Sequence, residues 1–241
     1  MNLFNITVSL FFILFQNHLQ LVEGDKSYNG HCRRVRKVKN TSLEKFTEHT
    51  WYSHMQQEVK YQNKSSFYCV TATYNIEKNR TVPFFNGNVI SVYNYANYDG
   101  VNGVPMNTKD GMILCAKQPN KKDNSTLAVS PCTVPGPFGG PYWIIGLGEN
   151  YEWLVVSGGQ PNNKYKDGCT TNTNTTNNSG LWIFSKYQNM PYRDLIYAKC
   201  LLKEKGYTLS QLQKVEQHGC KYDQAFIKTD KSYDDIFITT A

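Results

Sequence analysis

None of the seven cysteines, Cys32, Cys69, Cys115, Cys132, Cys169, Cys200 and Cys220, forms a Cys-x-x-Cys pair. That excludes zinc-ribbon and thioredoxin-like readings, and no metal or cofactor is assigned. Histidine is scarce: beyond residue 24 the chain has only His31, His49, His54 and His218, none in a His-Glu-x-x-His or Gly-x-Ser-x-Gly setting. No catalytic residue is therefore assigned, and the chain reads as a non-enzyme. Long apolar runs are missing too. The one run, Ile6 to Phe15, is too short to span a bilayer; with the polar stretch ending in Val22-Glu23-Gly24 it makes residues 1–24 read as a secretory signal peptide, against the alternative of a buried strand. The densest basic segment, Arg33 to Lys39, has no interleaved aromatics, so nucleic acid is not an expected partner. Residues 25–45 read as a solvated basic arm, with contact to an anionic membrane or glycan as the alternative.

Removing the signal leaves about 217 residues and moves the formal net charge from +7 to about +8, a length that one all-β barrel can use as a single domain. A signal peptide makes disulfides the default, and an odd cysteine count leaves at least one thiol over. Asn40, Asn63, Asn79, Asn124, Asn174 and Asn177 each open an Asn-x-Ser/Thr sequon, which agrees with passage through a glycosylating lumen and an extracellular destination.

Most of the chain reads as short strands between turns. Trp51-Tyr52 opens the first, and Phe67 to Tyr74, Val89 to Tyr93, Met112 to Cys115, Ser125 to Ser130, Tyr142 to Leu147, Tyr151 to Ser157 and Leu181 to Ser185 supply seven more. Eight sequential antiparallel strands predict an up-and-down barrel, because closure removes exposed edges, with a β-sandwich as the alternative. Tyr192 to Lys205 has no Gly or Pro and carries Leu195, Ala198, Leu201 and Leu202 on one face, which predicts a helix ended by Gly206. Gln211 to Glu216 reads as a short extra strand. Residues 158–180, rich in Asn, Thr and Gly, read as a mobile glycosylated loop. Residues 221–241 read as a partly ordered tail.

The series Trp51-Tyr52, Cys69 to Tyr74, Tyr142 to Ile145, Glu149 to Val155, Leu181 to Lys186 and Lys205-Gly206-Tyr207, over roughly residues 30 to 220, resembles the lipocalin family and within it the apolipoprotein D and bacterial-lipocalin branch. The family's opening Gly-x-Trp-Tyr appears as His49-Thr50-Trp51-Tyr52, and Lys186 stands where the family has Arg. The resemblance implies an eight-stranded calycin barrel over residues 46–220 with one late helix and a last strand. It also implies a Cys69–Cys220 disulfide and makes Cys169 the partner of Cys32. Cys115 and Cys132 fall on neighbouring strands and suit a third bridge, leaving Cys200 as a half-buried free thiol.

With Trp51 and Lys186 facing each other at the closed end, alternation turns Trp182 and Phe184 inward, and the resemblance turns Val70, Ala72, Tyr74, Ile90, Val92 and Asn94 inward. Such a lining suits a small, mostly apolar ligand (a lipid, fatty acid, sterol or retinoid) oriented by the Tyr74 hydroxyl or the Asn94 amide; plain core packing is the competing reading for each residue. Burying about 300 Å² of ligand surface supplies about 7 kcal/mol before association costs. The resemblance thus implies secreted transport of a hydrophobic ligand, with a cell-surface receptor or membrane surface as a further partner. A recognition module with a filled barrel and a pocket-cysteine isomerase are the rival readings.

Overall fold

The structure, a computed structural model, describes residues 31–135 and 138–228. The expected signal peptide and the end of the expected tail lie outside the described residues.

Helix α1 (Leu43–Glu48) leads into β1 (Thr50–Gln57), followed by β2 (Tyr68–Glu77), β3 (Val89–Tyr98), the short β4 (Val104–Met106), β5 (Leu114–Lys117), β6 (Thr126–Pro131), β7 (Gly140–Leu147) and β8 (Trp153–Ser157). A two-stranded hairpin, β9 (Asn163–Tyr165) and β10 (Gly168–Thr170), precedes β11 (Leu181–Ser185), helix α2 (Tyr192–Glu204) and β12 (Leu212–Lys214). Eight of these strands pair antiparallel with their neighbours and close into a lipocalin-type barrel where β11 meets β1, with Tyr52 opposite Ser185 and Gln56 opposite Trp182. β4 pairs outside this circuit with β3, and β12 with the far end of β1.

Alternation sorts the side chains. Ala72, Tyr74, Ile90, Val92, Ala116, Leu127, Ile144, Leu154, Val156 and Phe184 form the interior cluster. Their neighbours Ile145, Val155 and Ile183 face outward and pack under α2 through Ala198 and Leu202. α2 ends as its sequence predicts: Gly206, at φ +83°, lets its own N–H reach the Lys203 carbonyl and the Tyr207 N–H reach the Leu202 carbonyl, which satisfies two carbonyls of the last turn. Cys200 lies between the inward positions 198 and 202 and so faces out; it is exposed, not half-buried as expected.

Three disulfides form; the first, Cys32–Cys169, and the second, Cys69–Cys220, tie outlying segments down, and Cys115–Cys132 joins β5 to the end of β6. The first helps to explain why residues 158–180 do not match the mobile loop their composition suggests. Cys169 is tied, and the Thr171 hydroxyl donates to Gln57 Oε1 at 2.9 Å while Gln57 Nε2 donates to the Thr171 carbonyl. Polar side chains that cannot build a core of their own are here satisfied by the barrel rim.

The basic arm also differs from the expectation. Val35 is buried, Val38 N–H donates to the Ile144 carbonyl, and residues 43–48 form α1, capped by the Ser42 hydroxyl accepting from the Lys45 N–H. Charge hid this, because the apolar residues Val35, Val38, Leu43 and Phe46 are spread among cations. In the tail, residues 221–228 are packed: Phe226 stacks on Tyr93 with ring centroids 4.5 Å apart, and Lys228 Nζ donates to the Tyr74 carbonyl at 2.7 Å and to the Thr47 carbonyl. Lys228 thereby serves the edge of β2 beyond Thr73, where β1 no longer pairs.

Phe46 is fully buried among Trp51, Tyr74 and Tyr142. Phe46→Ala is expected to cost about 3–5 kcal/mol of stability, read as a lower urea midpoint at unchanged slope.

Candidate ligand-binding site in the barrel

The end where β1 begins is closed. Trp51 is buried there; its Nε1–H donates to the Phe46 carbonyl at 2.8 Å and the Phe46 ring lies at 25° to it. The resemblance predicted Lys186 across Trp51. Instead the Lys186 ammonium sits 5.3 Å from the Tyr187 ring centroid, and Phe46 covers the indole.

Above Trp51 the interior is filled. The Tyr74 and Tyr142 hydroxyls meet across the barrel at 2.8 Å, and Phe46 packs 4.5 Å from the Tyr74 ring. Of the residues expected to line a cavity, Ala72, Tyr74, Ile90, Val92 and Phe184 are buried against this aromatic layer. Val70 stands apart in a cluster with Phe67, Ala96 and Val215, because β2 bulges at Cys69, where φ is +54°.

Toward the other end, burial relaxes. Asn94 and Trp182, both nominated from sequence, are half-buried, and so are Leu114, Val129 and Tyr142. Their strand partners place all five on the inner face: Asn94 lies opposite Ala72, Leu114 opposite Val92, Val129 opposite Ala116, Tyr142 opposite Leu127, and Trp182 opposite Val156. Together they give this end a mostly apolar, partly exposed inner surface over the tyrosine pair, which is the candidate cup. The benzo edge of the Trp182 indole occupies the space beside Gly180, where a Cβ would fall 2.0 Å from it. Leu114, Val129 and Tyr142 were missed from sequence, although alternation from Ala116, Leu127 and Ile144 marks them as inward. Phe46 left no such mark, because it belongs to no strand.

The polar chemistry of the cup is limited to a phenol pair and an amide. Burial pushes both tyrosine hydroxyls well above the ordinary phenol range; for Tyr74 the bond to Tyr142 offsets part of this, and for Tyr142 the proximity of Tyr74 adds to it. Neither is a base or nucleophile at neutral pH. No group of side chains able to hold a metal ion occurs among the described residues.

The fold is the lipocalin fold. Apocrustacyanin C1 superposes with a TM-score of 0.52 at 12% identity, over 81% of this chain and 94% of that one. H1 crustacyanin from the lobster Homarus americanus does so with a TM-score of 0.51 at 14% identity, over the same 81% and 94%. No protein-family model matches the chain, and no curated protein matches it.

Tyr74, Tyr142 and Tyr207, the last bonded to the Ser157 hydroxyl and also raised by burial, all ionise less readily folded than unfolded. Stability is therefore fully present below about pH 10 and falls as pH rises above it, because the unfolded chain releases these protons first. Phenolate absorbance in an alkaline titration should show these three ionising only with the unfolding transition.

Proposed function

We propose that the chain is a secreted member of the lipocalin family that binds and carries one small, mostly apolar ligand in the mouth of its barrel and does no covalent chemistry. The observation that carries this is the set of inward-facing, mostly apolar residues Asn94, Leu114, Val129, Tyr142 and Trp182, which stay half-buried above the packed Phe46–Tyr74–Tyr142 layer. Apolar lining with a few polar groups is the usual chemistry of a small-molecule site. The aromatic layer makes the space short, so a compact ligand fits better than a long acyl chain. The apolipoprotein D-like motifs of the sequence favour that branch.

Domain limits on this reading are a signal peptide over 1–24 and a lipocalin domain extending from Cys32 into the packed tail. Secretion is supported by the three disulfides. It is also supported by sequons at Asn40, Asn63, Asn79, Asn174 and Asn177, all exposed. Asn124 is a poor acceptor: its Nδ2 donates to the Thr41 carbonyl at 2.7 Å and its Oδ1 accepts from Gln118. Glycopeptide mapping of the secreted protein should find Asn124 unoccupied and the exposed sites occupied.

The test of the carrier reading is native mass spectrometry of the secreted protein with solvent extraction of whatever co-purifies, followed by titration of a panel of terpenoids, retinoids and short fatty acids. A near-unit complement that quenches tryptophan emission, and whose affinity drops about tenfold or more in Asn94→Leu or Trp182→Ala, supports it. The filled closed half favours a second reading, a recognition module with no cargo. An empty protein that ignores the whole panel moves the weight there.

A further inference from the structure

The outer wall of the barrel carries a second concavity, of about 800 Å³, unrelated to the cup. One side is the extended chain from Arg34 to Thr41 and the other is the turn from Lys122 to Ser125. The chain is pinned along its inner edge, where Val35 N–H donates to Gln160 and Val38 N–H to the Ile144 carbonyl. Arg34, Arg36 and Lys39 are thereby left exposed. With Lys37 and Lys122 they line the groove with five cations against one acid, Asp123.

The two walls are cross-linked, so the groove is built in advance of any ligand. Lys37 Nζ reaches Asp123 at 2.8 Å and the Thr126 hydroxyl at 2.5 Å, and Asn124 bonds the Thr41 carbonyl across the gap. Burial alone would raise Asp123, but hydrogen bonds from Lys37, Ser125 and Thr126 outweigh it and hold the carboxylate well below its ordinary value. The acid is thus committed to the frame and stays charged with Lys37. Four cations remain uncommitted. Thr41, only 4% exposed, also lines the groove, and its hydroxyl has no hydrogen-bond partner. An unpaired buried hydroxyl beside a row of cations lacks an acceptor, and an anionic oxygen is the acceptor this setting favours.

We propose that this groove binds a sulfated polysaccharide chain, with Arg34, Arg36, Lys39 and Lys122 pairing sulfates along its length and Thr41 donating to one of them. A chain polymer enters a concave groove, while a flat bilayer meets only its rims. Single-stranded nucleic acid is disfavoured because the lining has no aromatic ring for bases to stack on. The choice of a sulfated glycan over intracellular polyphosphates rests on the secreted reading above.

The experiment is calorimetric titration of the full secreted chain, with and without its Asn-linked glycans, using a short heparin-derived oligosaccharide at about 0.15 M salt. Because Asn40 lines the groove, saturable binding is expected of the chain freed of its Asn-linked glycans, with a loss above tenfold in Arg34→Ser/Arg36→Ser/Lys39→Ser/Lys122→Ser and little change when the exposed Lys64, Lys78, Lys164 and Lys166 are replaced by Ser instead. Thr41→Val, which alters no charge, should weaken binding several-fold while leaving the thermal midpoint equal or higher. The proposal is overturned if neither glycoform binds, if both quadruple variants lose alike, or if Thr41→Val binds as the parent does, since each outcome reduces the effect to diffuse charge. Tighter binding to phosphatidylserine vesicles or to single-stranded DNA than to the oligosaccharide overturns it equally. Cup ligands are titrated in parallel in the same variants, so failure here is distinguishable from failure of the carrier reading.

Discussion

The hydrogen bond from the Trp51 indole to the Phe46 carbonyl joins the plug to the first strand, and much of the molecule's order follows from it. It sets the face of β1 that looks inward. β1 in turn pairs with β2 on one edge and closes the barrel through β11 on the other. A one-residue slip of β1 would turn its inward side chains to solvent and misalign both seams. The plug also decides the depth of the candidate site. Phe46 packs against the hydrogen-bonded Tyr74–Tyr142 pair and fills the closed end, which leaves only the other end for a guest.

The remaining segments work as straps on this closed sheet. The Cys69–Cys220 bond and the bridge from Tyr68 to Glu216 bring the end of the chain onto β2 at the mouth. From there residues 221–228 run over Tyr52, Tyr93 and Tyr95 toward the closed end. At the opposite terminus Cys32–Cys169 holds the arm beside the β9–β10 hairpin. Most of these straps are polar and would not fold alone; they order because the barrel offers fixed partners such as Gln57 and the Ser53 and Val70 carbonyls, which accept from Gln217 of the C-terminal strap. The same ordering creates the basic groove, whose walls are an arm and a turn that meet only in the folded state.

Barrel strands were legible because their signal is local. Aromatic and β-branched residues between turns located all eight, and the apolar face of Tyr192 to Lys205 located α2 to within a residue. α1 was not legible: six residues with only two apolar anchors, placed after a run of cations, carry too little periodicity to register. The site was partly legible. Trp182 followed from alternation and Asn94 from the family resemblance, but Ala72, Ile90, Val92 and Phe184 face inward and are buried, a distinction that pairing parity cannot make.

By itself the sequence determined the class of fold and the extents of the barrel strands and the last helix, since these depend on residue type and on short spacings. Tertiary structure alone decided which inward residues are sealed and which line the mouth, that Phe46 rather than Lys186 covers Trp51, that Asn124 is spent on a hydrogen bond, and that scattered cations converge on one groove. Each of these depends on contacts between residues far apart in the chain, tens of positions in most cases, and such contacts exist only once the barrel has closed.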